Sequence, residues 1–322
     1  MQQNHNTLPP PRRLAGLRRA GAPLLCLAAA AACAPVGLQP TPSPAAAVAR
    51  HVVVISIDGL RPDAIERAGA RTLQRLMAEG AYTLEARTIL PSKTLPSHTS
   101  MLTGVPPEVH GITWNEEQVD EHGLVGVPTV FDLAHEAGLT TAAFFGKAKF
   151  RHLIHPGSLD RVVAPRGGDV VTSARMVAEV RQFLRYHRPN LLFVHLPDPD
   201  LNGHAFGWMS LPYRAAVRRA DGAVGRIVEA ATRAFGGDVV VIVTADHGGS
   251  GHGHGTESEE HTAIPWIAWG RGVTPGKVEG AVRTMDTAAT ALWVLGVPVP
   301  PAWAGHVVAG AFRLGTEPAL AR

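Results

Sequence analysis

The chain has 322 residues, of which 45% are hydrophobic and 18% charged, enough apolar surface for one large core or two modest ones. This composition excludes a mainly disordered chain, and two cysteines exclude a disulfide scaffold. The formal charge of +3 comes partly from four arginines within residues 1–33, a segment with no acidic residue. From residue 34 onward, 26 basic residues face 27 acidic ones, which argues against a general nucleic-acid-binding protein.

The first 50 residues read as a targeting segment. The four arginines precede an apolar run at 22–32, which is too short to cross a bilayer as a helix but is typical of a signal peptide. Small residues directly before Cys33 resemble a bacterial lipoprotein processing site, which predicts a leader over 1–33 with Cys33 lipidated. Ordinary signal cleavage among these alanines is the alternative. Residues 34–50 are rich in proline and alanine and predict a linker, so we expect an exported protein, periplasmic or anchored to a membrane.

From residue 51 onward, short apolar runs alternate with helical patterns. The strands are predicted at 52–57, 141–145, 191–196 and 239–244, and the first and last are β-branched runs typical of strands buried on both faces of a parallel sheet. The helices are predicted at 64–79, 130–137, 173–186, 213–234 and 285–295. This order predicts a single domain over 51–322, built as a three-layer α/β/α sandwich around a mostly parallel sheet.

Acidic residues and histidines follow three of the predicted strands. Asp58 follows the first strand, Asp200 and His204 follow the third, and Asp246 and His247 follow the fourth. Because open α/β sheets build sites at the carboxyl ends of their strands, these side chains should converge. Carboxylates brought together repel one another unless a cation neutralises them, and imidazoles beside them favour zinc over magnesium or calcium. Taken singly, an Asp before a glycine is also an ordinary turn residue.

Three further histidines lie close in sequence to this set. His252 and His254 stand in a glycine-rich loop at 248–255, where they could bind metal or lie in solvent. His261 directly precedes a further predicted strand and should be held more rigidly. We therefore favour His261 as the ligand.

Thr94 begins another helical stretch with a proline just inside it. This pattern is ordinary helix capping, but a hydroxyl there also faces free N–H groups and the positive end of the helix dipole. If a metal touches the hydroxyl, it can ionise and act as a nucleophile. Lys93 beside it could assist or be simply exposed. Asn115 offers an amide that could hold a phosphoryl oxygen.

Together these residues resemble the alkaline phosphatase superfamily, and most closely the type I phosphodiesterase/nucleotide pyrophosphatase family, from about residue 51 to about residue 305. The resemblance implies two zinc ions, with manganese or another divalent metal as an alternative, and a phosphorylated Thr94 intermediate that water hydrolyses. Asn115 would steady the phosphoryl oxygens. One zinc would be held by Asp58, Asp246, His247 and the Thr94 oxygen, and the other by Asp200, His204 and His261. Asp198 lacks the spacing to a histidine and is interpreted as structural.

The substrate expected is a small phosphoester, either a phosphodiester or a nucleotide pyrophosphate. His247 and His261 are joined by a short loop, whereas family members often carry a long insertion there, so nucleotide-specific contacts are not expected. A phosphomonoesterase with the same site is one alternative. Lys147 and Lys149 resemble a lysine pair of phosphonoacetate hydrolase and could bind a substrate carboxylate, which favours a C–P hydrolase as another, although a solvated loop explains them equally well.

An alternative of a different class is a non-catalytic periplasmic zinc-binding lipoprotein, which the histidine-rich loop would suit. In each case we expect no nucleic-acid partner, and membrane contact only through the acyl anchor. The sequence does not fix the oligomeric state or the leaving group.

Overall fold

The computed structural model describes residues 47–313, and within this range eight strands form one sheet in the order β4-β3-β5-β1-β6-β7-β2-β8. The strands are β1 His51–Ile57, β2 Ala81–Arg87, β3 Thr141–Phe144, β4 Arg161–Val163, β5 Leu191–Leu196, β6 Val239–Thr244, β7 Ala263–Gly270 and β8 Gly276–Lys277. Strands β4, β3, β5, β1 and β6 pair in parallel, and β2 pairs in parallel with β8. Only β7 of these eight runs against its neighbours.

Eleven helices accompany the sheet in the described part of the chain. They are α1 Pro62–Arg67, α2 Arg71–Glu79, α3 Thr94–Thr103, α4 Pro107–His110, α5 Val119–His122, α6 Val130–Glu136, α7 Ser173–Phe183, α8 Asp198–Phe206, α9 Leu211–Phe235, α10 Glu259–Thr262 and α11 Asp286–Val294. Helix α9 packs on β1 and β6 beside α7 and α2, and α11 packs on β1 beside α3 and α6. Every residue of β1, β5 and β6 is buried, as expected for central strands covered on both faces.

The predicted α/β/α fold is confirmed, and the four predicted strands and the predicted strand after His261 are all present. The helix predicted at 64–79 is two helices, because Gly69 adopts a left-handed φ of +64° between them. The sequence interpretation missed β2. Buried and exposed residues alternate only imperfectly along β2, and the strand contains glutamate and arginine. Its sequence pattern is therefore equally compatible with the end of a helix.

The predicted leader, with Cys33, lies outside the described residues, as does the predicted linker up to residue 46. Residues 47–50 run beside the end of α11, where the N–H groups of Val48 and Ala49 donate to Val294 O at 2.8 and 3.3 Å. None of the helices within 47–313 has the length and apolar character needed to cross a membrane.

Candidate active site

The carboxyl ends of the central strands bring three buried carboxylates together. Asp58 follows β1, Asp246 follows β6, and Asp200 lies in the first turn of α8 after β5. The side chains of Asp58 and Asp246 are fully buried and that of Asp200 is 3% exposed. Asp200 N donates to Asp58 O at 3.0 Å, which fixes the start of α8 against the end of β1. The edge predicted from the sequence is thus where the carboxylates meet.

Lys147, which follows β3, lies between two of these carboxylates. Its Nζ is 2.6 Å from Asp58 Oδ2 and 2.6 Å from Asp200 Oδ2. Burial opposes the charge, but the two carboxylates outweigh burial and raise the pKa of Lys147 above its ordinary value. The ammonium therefore neutralises part of the acidic charge and fixes one oxygen of each carboxylate. Lys147, predicted as a substrate contact, is placed inside the acidic cluster.

Three histidines turn the same nitrogen toward the carboxylates. Nδ1 of His247 donates to Gly248 O at 2.7 Å, Nδ1 of His204 to His252 O at 2.9 Å, and Nδ1 of His254 to Ser92 O at 2.8 Å. Because a carbonyl can only accept, Nδ1 carries the proton in each ring, and the Nε2 atom of the neutral ring offers its lone pair. A ring fixed through one nitrogen by a protein acceptor is the usual arrangement of a metal-binding histidine.

The Nε2 atoms fall into two groups with the carboxylates. His247 Nε2 lies 3.3 Å from Asp58 Oδ1 and 3.2 Å from Asp246 Oδ2. The Nε2 atoms of His204 and His254 lie 3.3 and 3.6 Å from Asp200 Oδ1. We call Asp58, Asp246 and His247 the closed group, and Asp200, His204 and His254 the open group. The rings of His247 and His254 stack at 3.7 Å where the two groups meet.

Thr94 is the first residue of α3, and Lys93, rather than Thr94, is the N-cap. Thr94 Oγ1 lies 3.5 Å from Asp58 Oδ1 and 3.3 Å from His247 Nε2, so the hydroxyl borders the closed group. Leu95 N donates to Asn115 Oδ1 at 2.9 Å, which turns the Asn115 amide nitrogen outward as a donor. The arrangement combines a hydroxyl, a helix N-terminus and an amide donor, which suits a tetrahedral anion.

Two further histidines, not assigned from the sequence, hold Asp58 and Thr94 in position from the buried side of the site. His195 accepts from Gly146 N at 3.2 Å through Nδ1 and therefore donates from Nε2 to Asp58 Oδ2 at 2.9 Å. His98 donates from Nδ1 to Thr94 O at 2.8 Å. Both are fully buried. Because each lies within a predicted strand or helical stretch, the sequence pattern indicates a core residue. Their contacts become visible only in the folded structure.

The buried charges act strongly on one another. Burial raises the pKa of Asp246 well above its ordinary value, and the charge of Asp58 raises it further. Burial acts on Asp58 in the same direction, but Lys147 and hydrogen bonds from His195 and His247 hold its pKa well below the ordinary value. Burial disfavours the charged form of His247, but the Asp246 and Asp58 carboxylates outweigh burial and raise the pKa of this histidine to about 9. Such opposed shifts are typical of functional sites.

His261 does not join the cluster that the sequence favoured for it. Its Nδ1 accepts from Thr256 N at 3.3 Å, and its Nε2 pairs with Ser250 Oγ at 2.9 Å, so both ring nitrogens are satisfied by the protein. Within 47–313 it makes no ion pair with a carboxylate. The open group contains His254 in its place, a residue that the sequence analysis had left between ligand and solvent.

The remaining predicted residues lie at the margins of the site. Asp198 Oδ2 accepts from Ser173 N at 2.6 Å and so ties α7 to α8, in keeping with a structural role. The stem of Lys93 lies against Gly255, and its ammonium makes no ion pair among the described residues. The Lys149 ammonium likewise has no ion-pair partner there, and burial and the charge of Lys147 lower its pKa.

Trp208 fills the space between α8 and the loop that follows β6. Its Nε1 donates to Gly59 O at 3.0 Å, directly after Asp58. A Cβ added at Gly203 would lie 2.7 Å from the indole ring, and one at Gly249 would lie 2.2 Å from it. The glycines therefore let both segments close onto the indole, whose edge also faces the His204 ring at 5.2 Å.

The residues present fit a divalent metal. Asp200 Oδ1 and Asp246 Oδ2 are buried and have no hydrogen-bond donor, which is costly for carboxylate oxygens unless a cation meets them. The closed group and the trio of Asp200, His247 and His254 each have ligand atoms within 4.8 Å of one another. Mixed carboxylate and imidazole donors suit zinc among biological divalent metals.

The sheet topology and the ligand groups at its carboxyl edge place the chain among the alkaline phosphatase-like α/β/α proteins. The chain belongs to the type I phosphodiesterase / nucleotide pyrophosphatase family, whose model matches residues 52–252. A sulfatase model matches residues 210–297.

Similar proteins agree with this assignment. Human ectonucleotide pyrophosphatase/phosphodiesterase family member 1 is 27% identical over 196 residues, 55% of this chain and 21% of its own length. Human GPI ethanolamine phosphate transferase 1 is 25% identical over 272 residues, 74% of this chain and 28% of its own. The chain thus spans under a third of the length of these relatives. Murine ectonucleotide pyrophosphatase / phosphodiesterase 5 shares the fold with a TM-score of 0.67 at 16% identity, covering 78% of this chain and 96% of that one.

Proposed function

We propose that this protein is a metal-dependent phosphoester hydrolase in which Thr94 attacks phosphorus. The observation that carries the proposal is the position of Thr94 Oγ1, at a helix N-terminus and 3.3 Å from His247 Nε2 in the closed group. The family assignment supports it, and relatives include a venom phosphodiesterase of Macrovipera lebetinus. An inactive threonine-to-alanine variant of the murine structural neighbour has been solved in complex with AMP, which makes a nucleotide diester one candidate substrate.

Zinc is the metal we propose for both groups, with Thr94 as a further ligand beside the closed group and His254 rather than His261 in the open group. Such ions would lower the pKa of the threonine hydroxyl and neutralise charge on the phosphoryl group. The Thr94 hydroxyl donates toward Asp58 Oδ1, which leaves a lone pair free for phosphorus. The Asn115 amide nitrogen and the unpaired N–H of the first turn of α3 hold the phosphoryl oxygens.

The reaction has two steps. Thr94 Oγ1 forms a bond to phosphorus while the bond from phosphorus to the leaving oxygen breaks and releases an alcohol. Water then cleaves the phosphothreonine, which restores the hydroxyl and releases a phosphomonoester from a diester or phosphate from a monoester. Lys147 holds the two carboxylates in position throughout, because its ammonium lies 2.6 Å from each.

The test is an assay of the purified, zinc-loaded protein with p-nitrophenyl phosphate and bis-p-nitrophenyl phosphate. We expect Thr94→Ala to lose at least about a thousandfold in turnover while retaining its metal. Thr99→Ala is the matched control, because its hydroxyl donates to Leu95 O within the same helix and does not touch the site. Turnover by Thr94→Ala at the original rate would contradict the mechanism. Faster monoester turnover would make the protein a phosphatase, and bound metal without any turnover would favour the non-catalytic zinc protein.

A second candidate function is hydrolysis of a phosphonate, because the Lys149 ammonium is left without an ion-pair partner near Asp58 and Asp200. Such a cation suits a substrate carboxylate. In phosphonoacetate hydrolysis the C–P bond breaks, a water oxygen bonds to phosphorus and a proton from water goes to the carbon, which yields phosphate and acetate. Lys149→Ala should remove phosphonoacetate turnover and spare the diester assay. Lys277→Ala is the control, because this lysine pairs with Glu85 away from the site. Equal phosphonoacetate turnover in both variants would exclude this role.

We also propose that the protein is exported and anchored through an acyl group on Cys33. The support is the sequence pattern of residues 1–33 alone. Labelled palmitate should enter the full chain expressed in a bacterium and be absent from Cys33→Ser. Labelling of both proteins, or of neither, would exclude the anchor at this residue.

A further inference from the structure

An arginine-lined groove lies on the surface between α7 and α9. Four arginines line it, together with short apolar side chains, around a cavity of about 230 Å³: Arg181, Arg185, Arg188 and Arg233. Arg233 pairs with Glu229, and Arg188 donates to Leu184 O and His187 O. Arg181 and Arg185 make no ion pair with any residue in 47–313. We call this surface the arginine groove.

The arginine groove adjoins a second, larger surface cavity of about 580 Å³ that shares Arg188 and adds Arg161 and Tyr186. Tyr186 is 78% exposed. The acidic groups of this cavity are engaged within the protein. Asp160 accepts from Thr141 N at 2.7 Å, and Glu179 lies 3.9 Å from Arg175. The combined surface therefore presents guanidinium groups and one exposed aromatic ring.

The two segments that form the groove are rich in arginine. Residues 173–190 and 211–235 together hold nine arginines and three acidic residues, and four of these arginines line the groove, whereas the chain from residue 34 has nearly balanced charge. One of the three acids, Asp221, is buried and accepts from Thr72 N and Leu73 N. Arginine, unlike lysine, offers a planar fork that binds phosphate through two hydrogen bonds. The groove is therefore suited to phosphate groups.

The groove lies where the chain enters the fold. His51 Nδ1 donates to Pro189 O at 2.9 Å, and Asn190 Nδ2 donates to Arg50 O at 2.9 Å, directly after Arg188. These contacts are at the starts of β1 and β5, whereas Asp58 and Asp200 follow the ends of the same strands. The groove and the candidate active site are therefore at opposite ends of the central strands.

We propose that the arginine groove rests on an anionic phospholipid surface, with the candidate active site facing away from it. Cys33 precedes residue 47 by 14 residues, a reach of at most about 50 Å when fully extended. Because the chain enters the fold beside the groove, an anchor there brings the groove within reach of the bilayer. Exposed arginine and tyrosine are the side chains that favour the headgroup region. This inference rests on the proposed anchoring and is independent of the proposed hydrolysis.

The experiment measures binding to vesicles without the acyl chain. The chain from residue 34 is suitable, because the sheet and the buried core lie wholly within 47–313. It is sedimented with phosphatidylcholine vesicles containing or lacking phosphatidylglycerol, at low and at high salt. The test variant is Arg181→Gln/Arg185→Gln/Arg188→Gln. A variant of equal charge, Arg67→Gln/Arg75→Gln/Arg166→Gln, changes arginines that line neither cavity. Far-UV circular dichroism and urea unfolding, measured in parallel, show that each variant is folded.

The expected result is salt-sensitive binding to the phosphatidylglycerol vesicles only, lowered at least about tenfold in the test variant and little in the control. Equal loss in both variants would overturn the proposal, since net charge alone would then explain binding. Equal binding to vesicles with and without phosphatidylglycerol would overturn the proposal as well. Saturable binding of inorganic phosphate, measured by calorimetry, without any binding to the phosphatidylglycerol vesicles would also overturn it, because the groove would then be a site for a soluble anion. Retained turnover by Thr94→Ala would contradict the proposed hydrolysis and leave these outcomes unaffected.

Discussion

The fold holds the two ligand groups of this molecule in different ways. In the closed group, Asp58 and Asp246 follow neighbouring central strands, and all three side chains are fully buried. In the open group, Asp200 lies in the first turn of a helix, His204 is 47% exposed, and His254 comes from a glycine-rich loop. The sheet fixes the closed group directly. The open group depends on hydrogen bonds between segments distant in the chain.

This difference suits the chemistry proposed for each side. The nucleophile Thr94 borders the closed group, where a rigid and dry environment strengthens charge interactions. Water must reach the phosphorylated threonine from somewhere, and the half-exposed His204 side chain marks the accessible side. We therefore expect variants of the open group to alter metal binding before they alter the fold.

Among variants that compare the two groups, the largest expected effect separates His254 from His261. His254→Ala should lose metal from the open group and at least about a hundredfold in diester turnover, because its Nε2 lies 3.6 Å from Asp200 Oδ1. His261→Ala should keep its metal and lose about 1 kcal/mol of unfolding free energy with its hydrogen bonds to Thr256 and Ser250.

Metal content and turnover of the two variants, measured side by side, check this expectation. Each change removes one imidazole from the segment between β6 and β7, so each variant serves as the control for the other. Metal loss in His261→Ala with retention in His254→Ala would restore the ligand set inferred from the sequence and contradict the geometry.

The fold was predictable where the local pattern was strong. The β-branched runs of β1 and β6 are apolar throughout, and burial on both faces requires this. Strand β2 was not predictable, because its sequence is half polar and its pairing with β7 is set by residues far along the chain. The antiparallel direction of β7 is likewise set by the sheet as a whole, and the sequence of β7 carries no signal for it.

The site follows the same rule. Asp58 and Asp246 were predictable because strand ends position them, and Asp200 with His204 because a helix spaces them by four residues. Choosing between His254 and His261 was not possible, since the deciding contact joins His254 to Ser92 O, 162 residues away in sequence. Lys147 was expected to meet substrate, and only the packing of β3 beside β5 places it between two carboxylates.

A smaller effect on metal affinity tests whether Trp208 supports both the closed and the open group. Trp208→Phe removes the Nε1 hydrogen bond to Gly59 O and part of the ring against Gly203 and Gly249. We expect metal affinity of the open group to fall about tenfold, with a smaller change in the closed group, because the ring faces His204. Trp269→Phe is the matched control, since it loses an exposed Nε1 bond to Glu79. Metal titration by calorimetry measures both, and equal affinities in the two variants would remove Trp208 as a shared support.

The last expected effect is on folding stability rather than on the metal, and it concerns the helix under the closed group. His110 follows α3, its Nε2 pairs with Ser100 Oγ at 2.9 Å, and burial lowers its pKa to about 4. Because the unfolded chain binds this proton near pH 6.5, stability should be intact at neutral pH and fall as the pH drops from about 6.5 toward 4. Between pH 7 and pH 5 this amounts to about 2 kcal/mol of unfolding free energy.

Urea unfolding of the metal-free protein at the two pH values, compared with His110→Gln, isolates this contribution from those of the other buried histidines. The variant keeps a polar group near Ser100 but cannot take up the proton, so its stability should fall by about 2 kcal/mol less over the same interval. Identical pH dependence in both proteins would show that His110 opens to solvent before the fold is lost. The base of α3 would then be as accessible as the open group, and the closed group would owe its rigidity to the sheet alone.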